Sequence, residues 1–184
     1  LTDVTGVQTC ALPISDFSGA NNDFLNNGFE ITIPAGFSDF GLHTRHPYES
    51  PEETGDSIGY TALLRTPLKF DDSGMIISFD EVVLVEPGEE GSLFGSTYFY
   101  DYVIIEGSPD YGKTWIALTD GYDSRYMDSW LRDYNSSIDD MNSTFAGKES
   151  MLVKHTIYLS TSQFFNDGDI ILLQIGRASC RERV

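Results

Sequence analysis

Apolar residues in this chain recur with a period of two, in short runs that each end at a cluster of Gly, Pro, Asp or Asn. Successive side chains of an extended strand point to opposite faces, so runs of this kind predict β-strands. Seven stretches fit: "FEITIPA" (Phe29 to Ala35), "YTALLRTPLKF" (Tyr60 to Phe70), "GMIISFDEVVLVE" (Gly74 to Glu86), "FYDYVIIEGS" (Phe99 to Ser108), "KTWIALT" (Lys113 to Thr119), "MLVKHTIYL" (Met151 to Leu159) and "DIILLQ" (Asp169 to Gln174). In "DYVIIEG", Tyr102, Ile104 and Glu106 alternate with Val103, Ile105 and Gly107, so one side should be core. The faces of "ISFDEVVLVE" separate less cleanly, as in a central strand covered on both sides. Helical patterns are confined to "DSWLRDYNSS" (Asp128 to Ser137), with Asp128 as a candidate cap, and "STSQFF" (Ser160 to Phe165).

Strands at short intervals without βαβ alternation predict an all-β fold, an antiparallel β-sandwich or barrel. A chain of 184 residues, 40% hydrophobic and 13% aromatic, has enough apolar material for one packed domain. No repeat with a period of about 20 to 50 residues is visible, which argues against a propeller or solenoid. The long polar connections, Gly41 to Gly59, Glu86 to Tyr98 and Gly121 to Gly147, exceed what hairpins need and are candidates for function.

The two ends do not read as part of that domain. "VTGVQTCALPI" (Val4 to Ile14) and "IGRASCRERV" (Ile175 to Val184) resemble translations of a pair of sequencing adapters whose core strings are reverse complements. Residues 1–15 and 175–184 are therefore expected to be adapter-derived, and 16–174 to be a domain from an environmental, metagenomic reading frame cut at both sides. Cys10 and Cys180 both fall in these ends, so the central part has no cysteine. That removes thiol catalysis, zinc-thiolate sites and a disulfide framework.

The chain carries 11 Lys and Arg against 29 Asp and Glu, a net charge of −18. Such a balance repels phosphate backbones and anionic bilayers, so no nucleic-acid partner is expected. No apolar run approaches the ~20 residues that span a membrane, so no membrane insertion is expected either. The charge suits an extracellular or cell-surface protein that uses carboxylates for calcium.

Between two predicted strands lies "SPDYGKTW", with Ser108, Asp110, Gly112, Thr114 and Trp115 in the Asp-box pattern Ser-x-Asp-x-Gly-x-Thr-Trp. Its chemistry is local. Asp110 can accept hydrogen bonds from turn N–H groups, Gly112 can take a positive φ, and Trp115 can pack beneath the hairpin. In sialidase-like propellers the motif recurs once per blade, whereas here it occurs once, so it reads as a structural turn and not as a catalytic element.

Together with its flanks, "ISFDEVVLVEPGEEGSLFGSTYFYDYVIIEGSPDYGKTWIALTDGYDSR" resembles a jelly-roll module of large secreted and cell-surface proteins of Bacteroidetes. It is more distantly similar to the jelly-rolls of immune inhibitor A type metallopeptidases and of reelin repeats. The likeness extends from "LHTRHPY" to "GDIILLQ". It implies a jelly-roll β-sandwich, an accessory module of a larger multidomain chain, and a structural Ca2+. In that family another strand follows "ILLQ", so this chain is expected to lack a final strand and leave an open edge.

Asp80, Glu81, Glu86, Glu89 and Glu90 lie on or after one strand and Asp101 begins the next, so Asp80, Glu81, Glu86, Glu89 and Asp101 are the candidate calcium ligands, a solvated acidic surface being the alternative. The same acids could supply a glycosidase pair, which needs two carboxyls at ~5 to 9 Å across a cleft. His43 and His46 in "LHTRHPY", with His155 on a later strand, read as polar packing residues more than as metal ligands. Tyr98, Tyr100, Tyr122, Tyr126 and Trp130 are the candidate ligand contacts, because exposed Tyr and Trp can stack on sugar rings. The resulting expectation is a non-catalytic accessory module binding a glycan or protein. The alternatives are a glycoside hydrolase or sialidase fragment and a purely structural spacer.

Overall fold

The computed structural model describes residues 15–18, 23–47, 57–139, 142–159 and 165–180. The fold is mostly β, with antiparallel sheets and one short α-helix. In chain order the strands are β1 (Phe24–Asn27), β2 (Phe29–Thr32), β3 (Gly41–Thr44), β4 (Ser57–Leu64), β5 (Leu68–Lys69), β6 (Ile76–Glu81), β7 (Tyr102–Ser108) and β8 (Ile116–Ala117). The helix α1 (Asp128–Asn135) follows, then β9 (Ile138–Asp139), β10 (Asn142–Ser143), β11 (Val153–Tyr158) and β12 (Ile170–Cys180).

β12 is the axis of the largest sheet. On one side Gln174 to Cys180 pairs with β4 and Ile170 and Ile171 pair with β5; on the other Leu172 to Ala178 pairs with β7. β1 adds outside β4 and β8 outside β7, giving six antiparallel strands. Three two-stranded ribbons stand apart from this sheet among the described residues, the short β9–β10 and two longer ones, β2–β3 and β6–β11. The chain leaves β1 for β2 at Gly28, where φ is +79° and a Cβ would lie 1.8 Å from the Tyr60 ring, so only glycine fits.

The main core lies between the six-stranded sheet and the β6–β11 ribbon. Leu68, Ile105, Ile171 and Leu173 of the sheet meet Ile157, Leu159, Phe70 and Phe165, with Ile77 and Phe79 packed against them. Each fully buried aliphatic or Phe side chain here contributes roughly 1.5–3 kcal/mol. In a second cluster Val83, Leu84 and Val85 pack against Tyr122, Trp130, Tyr134 and Met151. Trp130 and Tyr134 are four apart on α1 and so share its buried face. The Trp130 indole N–H donates to the Met151 carbonyl at 3.0 Å.

Several local expectations shift. "YTALLRTPLKF" is broken at Arg65–Pro67 into β4 and β5, because Pro cannot donate to a ladder. β6 ends at Glu81, and Val83 to Val85 are buried without being a strand. β6 itself alternates strictly between half-buried and exposed residues, the reverse of a strand covered on both faces. β7, expected to have one core side, buries both Ile104 and Ile105, and the loop aromatics Phe94 and Phe99 cover Tyr102 on its other face. Asp128 is the first residue of α1 instead of its cap; Met127 stands at the cap and makes no side-chain cap bond. "LHTRHPY" contributes β3 instead of a loop. The strand expected over Asp169 to Gln174 is longer, β12 running from Ile170 to Cys180. Of "STSQFF", residues 160–164 lie outside the described residues, and Phe165 is core.

Candidate binding cleft

A cleft of about 1040 Å³ opens between the two ribbons and over the six-stranded sheet. One bank is the continuous run from Phe37 to Thr44, which includes β3; the other is the continuous run from Ile77 to Val85, which includes most of β6. Ile105, Leu173 and Ile175 from β7 and β12 also line it, as do Phe24, Phe29 and Leu64. Phe40, at 44% exposure, and half-buried Phe37, Leu42 and Phe79 make the banks apolar. Small-molecule pockets run to roughly 1,000 Å³, so this cleft is at the upper limit of that class.

Beside it sits a polar network joining residues far apart in sequence. Glu81, on the cleft bank, accepts from Tyr122 Oη at 2.8 Å, and its other oxygen lies 2.7 Å from His155 Nδ1. The His155 ring stacks on Tyr126 and packs against Phe79 and Tyr122, and Tyr126 in turn stacks on Trp130. Burial pushes the Glu81 carboxyl up, and its bonds to His155 and Tyr122 hold it back. Burial and the adjacent Glu81 carboxylate push the Tyr122 phenol up as well, so it remains a proton donor.

The five residues predicted as ligand contacts divide. Tyr98 and Tyr126 are exposed, at 63% and 46%, and Tyr100 is half-buried with its hydroxyl donating to Glu89 at 2.8 Å. Tyr122 and Trp130 are core residues, Trp130 with no exposed surface, so neither can stack on a ligand at the surface. None of the five lines the cleft.

The carboxylates predicted for calcium do not converge. Asp80 pairs with Lys154 at 3.0 Å, Glu81 serves Tyr122 and His155, Glu89 accepts from Tyr100, and buried Asp101 faces Arg177 at 3.6 Å. Glu86 is half-buried and is also engaged within the protein. These residues do not fit a shared calcium site. Among the described residues, the acids close enough to share a cation are Asp71, Asp72 and Asp167, whose oxygens lie within 4.8 Å of one another on the surface. Sequence reasoning missed them, since Asp167 is distant in the chain and nothing local marks it.

The Asp-box turn has a self-contained geometry. Asp110 accepts from the Thr114 N–H at 2.9 Å, the Thr114 hydroxyl at 2.8 Å and the Ser108 hydroxyl at 2.9 Å. Those bonds, the Thr114 N–H first, pull the Asp110 carboxyl down to about 2. The Gly112 N–H donates to Ser108 Oγ at 2.8 Å, Gly112 has φ +83°, and Trp115 packs against it. The non-glycine Tyr111 also takes a positive φ, +62°, and is exposed. Every polar group named here is satisfied within the turn.

Asp123 and Arg125 form a clamp that the sequence did not single out. Buried Asp123 accepts from the Gly88 N–H at 3.1 Å and from the Arg125 guanidinium at 2.7 Å. Arg125 also donates to the Glu89 carbonyl and Ser92 Oγ and lies over the Phe99 ring, so it ties down the Glu86 to Tyr98 connection. The neighbouring Ser124 hydroxyl donates to the Val85 carbonyl. Of the histidines, His43 lies against Thr32 Oγ1 at 2.7 Å across the β2–β3 ribbon, and both His43 and His46 line the cleft.

The fold and cleft define a mostly β protein of antiparallel sheets with an apolar channel between two ribbons. No family model, curated protein or solved structure matches the chain.

Proposed function

We propose that this chain is a non-catalytic binding module, a jelly-roll β-sandwich of a secreted or surface-anchored bacterial protein, and that its cleft takes a protein partner. The observation that carries this reading is the cleft itself: about 1040 Å³, with apolar banks built from two strand-containing runs. A sugar chain is commonly held on flat Tyr or Trp platforms. The aromatic side chains lining the cleft are phenylalanines and two histidines, and exposed Tyr98 and Tyr126 lie outside it, which favours protein over glycan. Glu81 has both oxygens engaged by His155 and Tyr122, a structural use that supports a non-catalytic reading. The acidic balance of the chain accords with an extracellular setting.

The test exposes the protein to a displayed random peptide library and to a glycan array, alongside a Leu42→Asp variant that puts a charge on the half-buried cleft wall. Selected peptides should bind the wild type and lose about tenfold or more in affinity to Leu42→Asp, whose circular dichroism confirms that it is folded. Glycan binding that survives Leu42→Asp, with no peptide selected, would overturn the reading. Turnover of an aryl glycoside would overturn its non-catalytic part.

A further inference from the structure

We infer that the cleft receives one extended strand of a protein partner, added edge-on to β6, an inference that rests on the cleft being the binding site. The phase of the β6–β11 ladder carries it. Leu159 donates its N–H to the Met75 carbonyl at 2.9 Å, and these two residues continue the register in which Ile77 faces Ile157 and Phe79 faces His155. Hydrogen-bonded and non-bonded pairs alternate along an antiparallel ladder. Odd-numbered residues of β6 therefore bond to β11, while Ile76, Ser78 and Asp80 turn their N–H and C=O groups to the opposite edge. Among the described residues β6 has no partner on that edge.

That edge borders the cleft. Lining residues run consecutively through β6, exposed Ser78 and Asp80 as well as half-buried Ile77 and Phe79, as happens when a backbone edge and not a single face meets a channel. The facing bank is equally continuous through β3, which pairs with β2. A strand seated between them would join the two ribbons into one layer above the six-stranded sheet. Its alternate side chains would enter the apolar space over Leu173 and Ile175, as in recognition by strand addition. Charge selects the occupant further. Exposed Asp39, Asp80 and Glu149 line the cleft, and its exposed cation, Lys154, is paired with Asp80, which leaves the rim net negative on a chain of net charge −18. The partner segment is thus apolar at every second position and basic at its ends or on its outward face.

The probe is a labelled peptide of about eight residues, alternating valine and threonine with a lysine at each end. On saturation the amides of Ile76, Ser78 and Asp80 should exchange with solvent about tenfold more slowly or better, while those of Ile77 and Phe79, already bonded to β11, change little. Ser78→Pro removes one outward N–H without touching the β11 ladder and should weaken binding about tenfold. Thr156→Pro puts the same ring on the outer edge of β11 and should leave binding unchanged; melting curves verify that both variants are folded. Peptides that bind and are sensitive to Leu42→Asp, yet leave the three amides unprotected, would overturn strand addition and leave the cleft reading standing. Protection of those amides by self-association without peptide, seen as a dimer in sedimentation, would overturn it in favour of a second copy. Failure of this peptide while library-selected peptides bind would also overturn it, and failure of both would remove the cleft reading with it.

Discussion

Tyr122→Phe isolates the polar network beside the cleft. The change removes one oxygen and leaves the ring, which packs on Tyr126 and His155. What is lost is the 2.8 Å bond to Glu81 Oε2, whose side chain is 11% exposed. Hydrogen bonds to a charged group are worth about 1.5–3 kcal/mol, and a carboxylate oxygen left this dry has little water to replace the phenol. A loss of about 2 kcal/mol corresponds to a fall in Tm of about 4–8 °C for a chain of this size. The sign of the pH dependence follows from the raised Glu81 carboxyl. Because the folded state holds that proton more tightly than the unfolded chain, the stabilisation is complete below the ordinary carboxylate range and is lost as pH rises through the raised value. The Tyr122 hydroxyl limits this loss by favouring the ionised form. Tyr122→Phe should therefore cost little near pH 4 and its full amount above neutrality. Urea unfolding of both proteins at the two pH values, followed by tryptophan fluorescence, measures it. An equal cost at both pH values, or one under about 0.5 kcal/mol above neutrality, would refute the reasoning.

Trp130→Phe deletes the indole N–H that reaches the Met151 carbonyl and opens space in the core around Val83 to Val85; urea unfolding should show a loss of about 2–4 kcal/mol, and less than about 1 would mean the site relaxes freely. Asp110 has a depressed carboxyl, so its support for the turn is present above the ordinary carboxylate range and disappears as pH falls toward about 2. NMR titration of that carboxyl should give a midpoint near 2, Asp110→Ala should lower Tm at neutral pH, and a midpoint near 4 would contradict the hydrogen-bond geometry. Asp71, Asp72 and Asp167 bring three carboxylates together on the surface, so Asp167→Asn should leave the Tm unchanged or slightly raised at low ionic strength and unchanged at high salt. If calcium instead raises the Tm of the wild type and not of Asp167→Asn, the cluster is a cation site; titration calorimetry decides it.

Strands with a strong internal pattern were legible. "VIIEGS" and "VKHTIY" form β7 and β11 because β-branched and alternating residues favour an extended chain whatever surrounds them. The Asp-box was legible for a related reason: all its hydrogen bonds close within seven residues, from Ser108 to Thr114, so the local sequence specifies the whole turn. Which strands pair was not legible, because pairing is decided by partners far along the chain. β12 chooses β4 and β7, from opposite sides of the β5–β6 segment, and no local feature of "IILLQ" encodes that. Burial of the aromatics failed for the same reason. "YMDSWLRDY" looks like a surface patch when read alone, but α1 turns Trp130 and Tyr134 inward because Val83 to Val85, more than forty residues earlier, need covering. The cleft is a stronger case, since it is produced by what does not pair. β3 is four residues, "GLHT", pairing with β2, and β6 pairs with β11; among the described residues neither has a partner on its other edge, and both contribute to the channel lining. An edge strand with exposed backbone groups and apolar neighbours invites aggregation unless something protects it. Exposed Asp39 and Asp80 place charge on these banks, Asp80 in a pair with Lys154, and under the proposed strand addition they would favour a basic partner segment.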